Sequence, residues 1–66
     1  MQGFTNAAAA LEYAYRFEEA LKVYENAAEV FSADVEKRSS LVLFMAKNLQ
    51  NQAALAFMDE KFDVLF

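Results

Sequence analysis

The sequence predicts an all-α fold: an antiparallel hairpin of two long helices, about 6–31 and 34–63, paired with a second copy as a homodimeric four-helix bundle. Three observations predict it. Ala10, Tyr13, Ala14, Phe17, Ala20, Leu21, Tyr24, Ala27, Ala28 and Phe31 hold the 3.6-residue helical period for about six turns. Proline is absent and the only glycine is Gly3, so nothing punctuates the chain into long loops. Finally, 58% of the 66 residues are hydrophobic, more than one hairpin can hide.

Residues 1–5 read as a flexible lead to a single domain spanning 1–66. Thr5 or Asn6 is placed to cap the first helix, and the run Ala7–Ala10 then propagates it with the best intrinsic propensity. Its outer face carries Glu12–Arg16 and Glu18–Lys22 at i,i+4 in the favourable orientation. The first break is expected at Ser32-Ala33-Asp34, where Ser32 and Asp34 are both good N-caps. Ser40, opening a helix on Leu41, is a second candidate for that start. Starting at Asp34 lets Val35, Val42, Met45, Ala46, Leu49, Ala53 and Ala56 continue one stripe. A second stripe follows at Leu55, Met58, Phe62 and Leu65, and the polar patch 48–52 between the two reads as a kink, a short turn or an exposed face, with Asn51 able to cap a third helix. Continuity through the patch is the preferred reading. Around Ala53–Met58 the helix is apolar on nearly every side, which calls for neighbours on two flanks and therefore for a second hairpin.

Composition excludes several functions. Without cysteine or histidine the chain lacks disulfides and the common zinc, haem and iron–sulfur ligands. Ten acidic and six basic residues give a net charge of −4, and no basic cluster exceeds Lys37-Arg38. Direct nucleic-acid binding is therefore not expected, nor is a cationic helix lying on a membrane. The longest apolar run, Leu41–Ala46, has six residues and is far too short to insert into a bilayer. The N-terminus has no signal-peptide pattern, so a cytoplasmic protein is expected.

Catalytic, cofactor-binding and metal residues are all expected to be absent, and the protein is not expected to be an enzyme. Its acid–base groups are carboxylates, lysines and tyrosines. Glu18, Glu25 and Glu29 near one helical face, and Asp59, Glu60 and Asp63 near the end, read as solvated faces, because helical carboxylate metal sites normally add histidine. Phe17, Leu21, Tyr24, Phe31, Leu49, Leu55 and Met58 form the stripe expected to build the core or the oligomer, with Met1, Met45 and Met58 as adaptable fillers. Tyr13 and Tyr24 are expected to pack, whereas Tyr15 lies off the stripe's centre and is a candidate partner contact. Phe62, Leu65 and Phe66, set among acids, either close the oligomer core or dock onto a partner.

The stretch Arg16-Phe17-Glu18-Glu19-Ala20-Leu21-Lys22-Val23-Tyr24-Glu25-Asn26-Ala27 resembles the second helix of a tetratricopeptide repeat. An echo follows 34 residues later, with Ala54, Leu55, Met58, Val64 and Leu65 opposite Ala20, Leu21, Tyr24, Val30 and Phe31. The same stretch is similar to the middle helix of three-helix microtubule-interacting and trafficking domains. Both families place a turn glycine before this helix, where Tyr15 stands here and favours an unbroken helix; Ser32 stands where the repeat's closing proline would be. The resemblance implies a peptide- or partner-binding module. The expected function is a small acidic interaction or regulatory protein, such as an adaptor, inhibitor or cochaperone, acting on a protein partner. The alternative is a regulator linked to nucleic-acid metabolism that docks through the acidic, aromatic C-terminal segment.

Overall fold

The computed structural model describes the backbone of residues 1–65 and the side chains of residues 1–61. It is all-helical, but with α1 (Gln2–Tyr13), α2 (Phe17–Val30) and α3 (Val35–Leu65) in place of the expected two-helix hairpin. α2 packs against both α1 and α3. At 1.5 Å per residue α3 is about 46 Å long, roughly twice α2. It sets the long dimension of a molecule measuring 48 × 18 × 12 Å.

α1 begins at Gln2, so residues 2–5 are its first turn rather than a flexible lead. Thr5 is inside the helix, where its hydroxyl donates to the Gln2 carbonyl at 3.1 Å instead of capping. Phe4 gives the turn something to hold: its ring meets Phe31 edge-on, with centroids 6.1 Å apart.

The expected continuous helix over 6–31 breaks at Ala14-Tyr15-Arg16. The Arg16 N–H donates to the Leu11 carbonyl at 2.8 Å and the Tyr15 N–H to the Glu12 carbonyl at 3.0 Å, the paired bonds of a Schellman helix end. Tyr15 occupies the left-handed position of that motif, with φ 60°, where glycine is usual. A Cβ there costs roughly 1 kcal/mol, which the two carbonyl bonds and the packing of α1 on α2 offset. Arg16 is at once the N-cap of α2, and its guanidinium makes a bidentate pair with Glu19 rather than with Glu12.

The break resets the helical phase. Along α1 the inward side chains are Met1, Phe4, Ala8 and Leu11, while Tyr13, expected to pack, is 87% exposed and Ala10 and Ala14 also face out. From Phe17 onward the expected stripe does face inward, through buried Ala20, Tyr24 and Ala27 and half-buried Phe17, Leu21, Ala28 and Phe31. Alanine at these helix crossings lets the backbones approach closely. The second turn falls at 31–34 as expected. Asp34 Oδ1 accepts the Lys37 N–H at 3.1 Å, a side-chain cap on α3.

α3 continues through the polar patch 48–52 without a break. Its inward seam is Leu41, Met45, Asn48, Gln52 and Leu55, spaced 4, 3, 4 and 3, of which Leu41 and Asn48 are fully buried. Val35, Val42 and Leu49, expected on one continuous stripe, are 73%, 57% and 52% exposed and lie outside the chain's own core.

Candidate interaction face and the buried network behind it

Asn48 fixes how α3 meets the other helices. Its Nδ2 donates to Glu12 Oε2 on α1 and to the Phe17 carbonyl at the start of α2, both at 3.0 Å. Its Oδ1 accepts from Gln52 Nε2 at 2.7 Å. The other Glu12 oxygen, Oε1, accepts the Tyr24 hydroxyl at 2.9 Å. One carboxylate and one amide thus tie all three helices together. No buried side-chain nitrogen or oxygen among the described residues lacks a partner. The Tyr24 ring stacks on Phe44 at 5.6 Å with planes 6° apart. Burial first, then the adjacent Glu12 carboxylate, push the Tyr24 phenol up to about 12.

The network joins the helices through bonds among its own members and the Phe17 carbonyl. Among the described residues no three acidic side chains gather as a metal-holding group. No described helix is long and apolar enough to cross a membrane.

With the inward seam occupied by the network, α3 turns a second apolar set outward. Val35, Val42, Ala46, Leu49, Ala53 and Ala56 fall on one flank, with Leu43 (72% exposed) and Phe57 (59% exposed) at its rim. Val35, Arg38, Ser39, Val42 and Leu43 line a groove at its beginning. α1 lies on the opposite side, where Phe44, Lys47 and Asn51 line a groove with Thr5, Asn6, Ala9 and Glu12. The flank is therefore uncovered by the chain's own helices.

The other candidate contacts are dispersed. Tyr15 is 74% exposed at the α1–α2 turn, its ring edge-on to Phe17 at 6.1 Å. Leu55 is half-buried on the inward seam, while Leu49 and Met58 are exposed, outside the chain's own core. The side chains of Phe62 and Leu65, and Phe66 altogether, lie outside the described residues. Val42 and Leu49, expected on a stripe for the core or the oligomer, lie outside the chain's own core, and sequence reasoning missed Glu12 and Asn48. The signal for the latter pair was the polar interruption of an apolar seam at Asn48 and Gln52.

Comparison with known proteins returns no match, whether to a protein family, a curated protein or a solved structure.

Proposed function

We propose that this protein acts by contact, as a small acidic helical module that binds a protein partner through the outward flank of α3. The observation that carries the reading is the exposure of Val35, Val42, Leu43 and Leu49, between 52% and 73%, along one helix of a chain whose own core is already closed by a polar network. Single exposed apolar side chains are ordinary, but a contiguous row on a rigid helix is a recognition surface of the helix-packing kind. The reading involves no catalytic step.

The test is photocrosslinking in the cells that make the protein, with a benzophenone amino acid replacing Val42, Leu49 or, as a control on the exposed face of α2, Glu25. Adducts are expected from Val42 and Leu49 and not from Glu25. Equal yields at all three positions, or none at any, would refute a dedicated flank.

A further inference from the structure

The two halves of the chain correspond at a spacing of 34 residues, and the correspondence runs through the packing positions of α1 and α2. Ala20, Leu21 and Tyr24 of α2 match Ala54, Leu55 and Met58 in the second half of α3. Met1, Ala8 and Leu11, by which α1 packs, match Val35, Val42 and Met45 in its first half. The turn Ala14-Tyr15-Arg16 matches Asn48-Leu49-Gln50, at the polar patch. α3 is thus the counterpart of the α1–α2 hairpin, laid out straight instead of folded in two.

The straight form leaves exposed what the α1–α2 hairpin hides. Ala8 is fully buried, whereas its counterpart Val42 is exposed, as is Val35 a heptad earlier. In the other half, Phe57 is the counterpart of half-buried Val23 and Met58 of buried Tyr24, and both are exposed. Val42 lies about 100° around α3 from Leu41, the buried residue of the inward seam, so the flank opens beside α2. Folding the second half back onto the first, as α2 folds onto α1, brings Ala54 and Phe57 against Val35 and Val42. Both exposed apolar sets are then covered in one step.

The patch carries the chemistry of such a turn. Interrupting a helix frees carbonyls and N–H groups, and residues 48–52 supply four side-chain amides to take them up. Asn51 is of the type that caps a helix start. The left-handed position falls on Leu49, and Tyr15 shows that this chain makes the same turn without glycine. Of the bonds Asn48 makes, the one from Gln52 Nε2 to its Oδ1 crosses the break, whereas those to Glu12 and the Phe17 carbonyl hold the first half alone.

Resting on the reading of the flank as a docking surface, we propose that α3 has two forms. The straight helix presents the flank; a hairpin folded at 48–50 covers it with residues 51–61 and excludes a partner. The Gln52–Asn48 bond is the latch of the straight form. A partner binds the straight form only, so its binding draws α3 open.

Spin labels separate the two forms, and the absence of cysteine from the sequence makes the labelling specific. With Glu36→Cys and Glu60→Cys labelled, the straight helix sets the sites about 36 Å apart and the hairpin brings them within about 20 Å. Double electron–electron resonance on the full chain should find the long distance together with a smaller short-distance population. Leu49→Gly relieves the left-handed position and weakens the straight helix, so it should raise the ratio of short to long at least about tenfold. Gln52→Ala, which removes the latch, should raise it about fivefold. Ala46→Gly, in a stretch that is helical in both forms, should leave it unchanged. A long distance alone in the wild type and in Leu49→Gly, or an equal rise with Ala46→Gly, would overturn the hairpin. A photocrosslinker at Ser39, beside the flank, tests the masking: its capture of a partner should fall with Leu49→Gly as the straight population falls, and unchanged capture would overturn it. Two distances with no capture from any position on the flank would refute the docking surface and leave the two forms of α3 standing.

Discussion

Tyr24→Phe removes one oxygen and leaves the ring stacked on Phe44, so it isolates the hydroxyl's bond to Glu12. A hydrogen bond to a carboxylate contributes about 1.5–3 kcal/mol, out of a total of roughly 3–10 kcal/mol for a domain of this size. The titration of the phenol is linked to folding as well: its pKa is raised from 10.0 to about 12 in the folded chain, by burial first and then by the Glu12 carboxylate. Because the folded state holds the proton more tightly, the contribution is complete below pH 10 and is lost as the pH rises from 10 to 12. Urea unfolding followed by circular dichroism, at one protein concentration, should find the variant about 2 kcal/mol less stable at pH 7. The gap should close above pH 10, where only the wild type loses this contribution. Absorbance at 295 nm should show one phenol titrating near 12 that is missing from the variant. A gap that stays constant from pH 8 to 11.5, or a Tyr24 phenol titrating at about 10, would refute the buried pairing.

Two further substitutions probe the parts of the fold that differ from expectation. Tyr15→Gly should leave stability within about 0.5 kcal/mol, because relief at a left-handed position offsets the lost contact with Phe17 and the added chain entropy, while Tyr15→Val should cost at least about 1 kcal/mol. In an unbroken helix the order reverses, so a glycine variant melting below the valine variant would argue against the turn. Phe4→Ala should lower the melting temperature by about 10 °C, as loss of a half-buried aromatic costs roughly 1.5–2 kcal/mol; an unchanged midpoint would show that the first turn of α1 adds nothing to the core.

Helical content, the position of the second turn and its Asp34 cap, and the inward face of α2 were legible from periodicity and capping chemistry. The α1–α2 turn was not. Ala10, Tyr13 and Ala14 continue the α2 stripe in phase, and no glycine or proline interrupts them, so the apolar pattern is blind to the break. Tertiary packing decides it: α1 buries Phe4, Ala8 and Leu11 only by folding back, and that overrides the cost of a tyrosine in the left-handed region. The chain turns at the position where the resembled repeats carry their glycine. On α3 the inward seam was hidden for a different reason. Ranking faces by hydrophobicity selects Val42, Ala46, Leu49 and Ala53, whereas the inward seam runs through Asn48 and Gln52, whose amides are satisfied by partners remote in sequence. Such pairings leave no periodic trace.

The placement of Asn48 has a consequence for how α3 finds its seat. An all-apolar seam spaced 4, 3, 4 and 3 would fit α2 almost equally well after sliding by one helical turn, about 5.4 Å. Here a slide carries the amide away from Glu12 and the Phe17 carbonyl and leaves a carboxylate facing aliphatic side chains, at a cost of several kcal/mol. The amide is thus an alignment key: it gives up some adhesion between α2 and α3 in exchange for a single way of fitting them together. A helix twice as long as the one it packs on needs such a key, because its length alone does not mark where it should sit.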